Sequence, residues 1–147
     1  MPRSTEYADH PVVGVGGVVL LGDRAVLIRR GNPPRQGEWS IPGGKLELGE
    51  TLAEGVRREL LEEIGLAVEV GDLIEAFERV FEDQQGRTRF HFVILDFLCQ
   101  AISEGPVAGG DASELALVGE SDLDRYGLDD AVQRILRKAF AMSRRRS

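Results

Sequence analysis

Residues Gly44 to Leu66 read GKLELGETLAEGVRRELLEEIGL, and the chain is best read outward from them. Thr51 can cap a helix with its hydroxyl, and Glu54, three residues on, completes a capping box. Val56, Leu60 and Ile64 recur at four-residue spacing on one face, and Gly65 supplies the left-handed residue that ends a helix. A helix from Thr51 to Gly65 is therefore expected. On it, Glu59, Glu62 and Glu63 stand at i, i+3 and i+4, within an arc of roughly 100°. Grouped carboxylates at this spacing weaken a helix by about 0.2–0.5 kcal/mol per pair.

Such a face has two readings. It is a solvated acidic surface, or it is a site for a hard cation. Mg²⁺ prefers oxygen ligands, keeps several waters, and is held by a few carboxylates together with substrate phosphates. Spacing alone does not separate the two; the neighbouring residues favour the cation. Pro42-Gly43-Gly44 reads as a tight turn whose backbone could approach an ion or a phosphate closely. Arg58 can brace a neighbouring carboxylate with its fork of donors. Val56, Leu60 and Ile64 anchor the acids on a rigid element.

Upstream, Val12–Leu21 and Ala25–Arg30 are aliphatic runs divided by Gly22-Asp23, and they read as a hairpin. Gly31–Glu38 reads as a loop, Trp39–Ile41 as a short strand, and Lys45–Glu50 as an irregular loop. Downstream, Ala67–Val70, Leu73–Phe81, Arg89–Gln100 and Glu114–Val118 read as strands, with a turn at Gln84–Arg87 and a loop at Ser103–Ser113. Asp122–Tyr126 suits one helical turn. From Asp129 onward Ala131, Val132, Ile135, Leu136, Ala139 and Phe140 follow a helical period, with acids at the start and bases at the end. The order β-β-β-α-β-β-β-α predicts a mixed sheet with helices packed on it. Residues 1–147 are expected to form one domain, its core spanning about 11–142.

The composition is that of a globular protein, 42% hydrophobic and 29% charged. A net charge of −7 argues against nucleic-acid polymers as partners, and Arg144-Arg145-Arg146 reads as a frayed helix end. Cys99 is the only cysteine, which with the absence of a membrane-length apolar run leads to the expectation of a cytoplasmic protein. Gly43-Gly44-Lys45 is not a phosphate loop, because Leu46 stands where Ser or Thr is needed.

The quoted stretch resembles the Nudix hydrolase signature: Gly, five residues, Glu, seven residues, Arg-Glu, an aliphatic, any residue, Glu-Glu, any residue, Gly and an aliphatic. Gly44, Glu50, Arg58, Glu59, Leu60, Glu62, Glu63, Gly65 and Leu66 fill every specified position. The resemblance implies an α/β/α sandwich with a mixed sheet, and an enzyme that hydrolyses a nucleoside diphosphate linked to another moiety. It implies Mg²⁺, which Mn²⁺ often replaces, held by Glu59, Glu62 and Glu63 with the Gly43 carbonyl as a further ligand. Glu62 is the general base in this reading, and Arg58, which braces the carboxylates, is counted with it as catalytic. Relatives often carry an arginine that meets a phosphate where Arg29 and Arg30 stand; one of the pair should face inward and the other outward. Gly44 belongs to the same substrate-facing segment, and Asp111, in Gly109–Glu114, takes the place of an acid found before the last core strand of many members.

Within the family, the Arg89–Phe97 strand and the Gly-Gly-Asp loop most resemble the ADP-ribose pyrophosphatase-like group, whose members are often dimers. One feature departs from that group: the proline about sixteen residues past the motif is absent, and Glu82 stands there. An ordinary or oxidised nucleoside triphosphate is the alternative substrate. A non-catalytic ligand-sensing module is a remoter alternative, since such modules usually lose motif glutamates. Trp39 could stack on a base but reads better as core, and His91 as packing.

Overall fold

The computed structural model describes residues 5–103 and 114–146. Its centre is β1 (Val12–Leu21), an apolar run that pairs on both sides, as a strand buried by a sheet should. On one side it lies parallel to β6 (Thr88–Ala101), from Val12↔Phe92 to Val19↔Cys99. On the other side its middle takes β4 (Gly43–Lys45) antiparallel, and its last two residues pair with β2 (Arg24–Arg29). The sheet runs β3-β2-β1-β6-β5, with β3 (Trp39–Ser40) and β5 (Val68–Glu82) at the ends. β7 (Leu115–Gly119) adds antiparallel to β2.

Two helices cover the two faces. α1 (Leu52–Ile64) buries Val56, Leu60 and Ile64 against Val15, Val19 and Val26. α2 (Asp130–Arg146) buries Ile135, Leu136 and Phe140 against Val18, Leu27 and Leu98. Full burial of each such side chain contributes about 1.5–3 kcal/mol, enough for these stripes to fix where each helix sits. The expected α/β/α arrangement with a mixed sheet is what forms. A 3₁₀ helix, Glu120–Tyr126, leads into α2.

Four sequence expectations need correction. Gly43 and Gly44 do not form a turn: they are strand residues, paired Gly16↔Gly43 and Val15↔Gly44, because β1 offers a ladder that local propensity does not foresee. Ala67–Val70 and Leu73–Phe81 are not separate strands but one, β5, whose Gly71-Asp72 is absorbed by register shifts between Val70 and Glu75. The first hairpin is paired only at Leu20↔Ala25 and Leu21↔Arg24, and β2 ends at Arg29 rather than Arg30. The C-terminal arginines do not fray: α2 continues to Arg146, with Arg144 donating to Glu120 at 2.8 Å and Arg146 to Asp72. Asp111 and nearly all of the Ser103–Ser113 loop lie outside the described residues. Among the described residues no helix is long and apolar enough to cross a membrane.

Candidate active site

The capping box forms as expected. Glu54 N–H donates to Thr51 Oγ1 at 3.1 Å, and Thr51 N–H donates to Glu54 Oε1 at 2.9 Å. Gly65 closes the helix at φ 67°, its N–H donating to the Leu61 carbonyl at 3.1 Å. Both ends of α1 are thus set, and the rotation of its acidic face is set with them.

Arg58 organises that face. Its Nε and Nη2 donate to the two oxygens of Glu50 at 2.7 and 2.9 Å, and Nη2 also reaches the Lys45 carbonyl at 3.0 Å. Its Nη1 donates to Glu59 at 2.8 Å and more weakly to Glu62 at 3.4 Å. The bidentate grip holds the Glu50 carboxyl down at about 2, assisted by the Glu47 backbone N–H. The same partners raise the Arg58 pKa, Glu50 most of all.

Glu59 and Glu63 turn into the fold. Glu59 is half-buried, and burial raises its pKa against the opposing pull of Arg58. Its carboxylate lies against the backbone of Gly44, where any side chain would run into it. Glu63 accepts from the Gly43 N–H at 3.3 Å. Glu62 faces solvent, its side chain 51% exposed. Among the described residues no three carboxylate, His or Cys side chains converge into a ready-made cage. The donor chemistry nevertheless fits a hard divalent ion: every candidate is an oxygen, and Mg²⁺ completes its shell with water and phosphate rather than with a full protein cage.

Glu59 and Glu63 open on a cavity of about 400 Å³. Its floor is one face of the sheet, built by alternation: Gly14 and Gly16 of β1, Phe92, Ile94 and Asp96 of β6, and Phe77, Arg79 and Phe81 of β5. The two arginines at the end of β2, Arg29 its last residue and Arg30 just past it, divide as alternation predicts. Arg30 is half-buried in this cavity, with Nε on the Pro34 carbonyl at 2.8 Å; burial lowers its pKa and the nearby Glu63 charge opposes that. Arg29 is exposed, donating to the Gly37 carbonyl at 2.9 Å and to Glu114 at 3.2 Å. Trp39 takes the packing role expected of it. It packs edge-on against Tyr126 at 5.5 Å and also lines the cavity. His91, half-buried and paired with Val80 across β5 and β6, is no part of the lining.

Sequence reasoning missed two parts of this cavity. One is the ion-pair cluster at its far wall, where Asp129 receives Arg79 and, at 3.3 Å, Arg35. Arg79 chiefly, with Arg35, keeps the Asp129 carboxyl below its ordinary range. The three residues come from distant segments, so no spacing could reveal them. The other is Asp96, only 4% exposed, whose pKa burial pushes up to about 7 despite the pull of Arg79. A signal for it did exist, namely one acid inside the apolar run Phe92–Leu98.

Comparison with known proteins agrees with the motif. The family model described as NUDIX domain matches residues 10–139. An ADP-ribose pyrophosphatase of Methanocaldococcus jannaschii is 33% identical over 120 residues, covering 82% of this chain and 69% of that protein. The nucleoside triphosphatase NudI of an Enterobacter species is 30% identical over 132 residues, covering 84% and 88%. Among solved structures, the MutT NUDIX hydrolase from Burkholderia pseudomallei superposes with a TM-score of 0.75 at 29% identity, over 88% of this chain and 98% of that one.

Proposed function

The chain belongs to the Nudix hydrolase family, enzymes that act on phosphoanhydrides of nucleotide substrates and generally use divalent metal ions, and on that premise we propose that it cleaves ADP-ribose with Mg²⁺ held against α1. The observation that carries this reading is the pair Glu59 and Glu63, turned from a capped helix into a cavity that continues past Arg30 to the Phe77–Arg79–Phe81 wall. Such a cleft offers carboxylates for an ion at one end and apolar and cationic surface beyond it. Likeness over most of the chain to a protein named for ADP-ribose supports the substrate.

In this mechanism Glu59, Glu62 and Glu63, with the Gly43 backbone beside them, would hold the divalent ion, which when bound would supply positive charge to offset that of the phosphates and of the leaving group. Glu62, the carboxylate nearest solvent, takes the proton of the attacking water on its side-chain oxygen. The water oxygen bonds to phosphorus as the bridging P–O bond breaks, giving AMP and ribose 5-phosphate. Arg58 is a positioning residue: it holds Glu50 and Glu59 and touches no substrate. Arg30 brings positive charge to a phosphate inside the cleft, and Arg29 supplies charge at the mouth. Gly44, lacking a side chain, leaves room for the Glu59 carboxylate beside the substrate-facing backbone, and Asp111, outside the described residues, is assigned to substrate binding on the family resemblance.

A second reading, hydrolysis of a nucleoside triphosphate, is supported by likeness to the Enterobacter triphosphatase over 84% of the chain. Values of kcat/KM for ADP-ribose and for common and oxidised nucleoside triphosphates, measured in parallel with Mg²⁺, separate the two. At least a tenfold preference for ADP-ribose is expected. A tenfold preference for any triphosphate overturns the ADP-ribose assignment. A second copy of the chain as the other wall of the site belongs to the same reading, and sedimentation equilibrium showing one chain per particle removes it.

A further inference from the structure

Asp96 is the one charged or polar side chain among the described residues that is essentially buried. It accepts no hydrogen bond from those residues, and its carboxylate is open to the cavity rather than fully enclosed. The Arg79 guanidinium attracts it through space but closes its ion pair on Asp129. A carboxylate so nearly buried gives up most of its hydration, which is unfavourable unless a donor replaces the lost water. An apolar residue on this strand would avoid that cost, so the fold alone gives no reason for an acid here.

The location suggests what satisfies it. Gly43, Gly16 and Asp96 lie in one row across β4, β1 and β6. The Asp96 carboxylate leans over Gly16 into space that any side chain at that position would fill. Both residues line the cavity into which Glu59 and Glu63 open. One to two strand spacings, roughly 5–10 Å, separate the carboxylate from the Gly43 backbone. A nucleotide whose phosphates sit at the glutamates spans such a distance with its sugar and base.

We propose that Asp96 determines specificity by accepting a hydrogen bond from an N–H or O–H donor of the nucleoside that lies over Gly16. This rests on the nucleotide-hydrolase reading above and deepens it. The donor is either a base amine or a ribose hydroxyl; both present the same chemistry to a buried carboxylate. A site built around such a bond rejects ligands lacking the donor strongly, because the acid is then left buried and unsatisfied.

The test is equilibrium binding to the full chain with Mg²⁺ present, using monophosphates that have no anhydride to cleave. The probes are AMP, purine riboside 5′-monophosphate (no base amine), and the 2′-deoxy and 3′-deoxy forms of AMP. One of these deletions should weaken binding to the wild type at least ~10-fold, which also identifies the donor. In Asp96→Asn the same ratio should fall to within about twofold, since the amide meets the donor far less well than a carboxylate does. Asp96→Ser serves where the Asn variant does not fold. A wild type indifferent to every deletion overturns the proposal. So does discrimination that persists in the variant, including the case where only its melting temperature moves, which is what a purely structural Asp96 would give. Hydrolysis without Asp96-dependent selectivity leaves the enzyme reading standing and sinks this one. Asp96-dependent selectivity in a protein that cleaves no phosphoanhydride does the reverse.

Discussion

Gly44 and Glu59 occupy what is in effect one residue's space, and their closeness makes a sharp prediction. Gly44→Ala must displace the Glu59 carboxylate, so kcat should fall while α1, which is capped independently, keeps its helical signal. Glu59→Gln, Glu62→Gln and Glu63→Gln should each lose at least ~10²-fold in kcat, the scale of losing an acid–base group. Steady-state kinetics with circular dichroism checks both; a variant with near-normal turnover removes that residue from the site. Asp96 gives a pH prediction. Its pKa of about 7 in the folded protein stands above the ordinary 3.8, so the folded state retains a proton that the unfolded state has lost between those values. Stability relative to Asp96→Asn should therefore fall as pH rises from about 4 to about 7, by up to a few kcal/mol, and level off above. Denaturant titrations that give a constant difference across this window contradict that. Of these residues the glutamates were legible because motif spacing names them. Asp96 was visible only as an acid in an apolar strand, and its burial depends on Gly16, far away in sequence.

At the scale of elements, α1 was legible almost to the residue because its signals are local: a capping box, a four-residue apolar period and a terminal glycine. Thr51→Ala should cost about 1 kcal/mol of stability, read by urea denaturation, and a change below a few tenths would mean the box contributes little. The strands were less legible. Gly43 and Gly44 carry no strand propensity, and their pairing comes from β1, whose own glycines allow a close, flat approach. Gly71-Asp72 has the composition of a turn, but the long partner β6 carries β5 through it as an irregularity. In both cases a tertiary partner outweighs local preference. The Arg35–Asp129–Arg79 cluster joins a loop, the start of α2 and β5 in the same way, and it was illegible for the same reason.

Over the whole molecule, a chain of net charge −7 that acts on phosphoanhydrides must handle an anion, and it groups acid on the face where we propose that anion binds. Arg30, Arg79 and Arg35 offset the charge only along the cavity, and Arg79 and Arg35 are already committed to Asp129. Without a cation, the Glu59–Glu63 face repels the substrate. The fold supplies the remaining requirement, two apolar cores that clamp the sheet so that α1 and the cavity floor keep a fixed relation. The most direct test is ADP-ribose hydrolysis followed through metal removal and return. Purified protein stripped with EDTA should lose essentially all turnover and recover it on adding excess Mg²⁺, with its folded spectrum unchanged throughout. Turnover that survives thorough stripping contradicts the account.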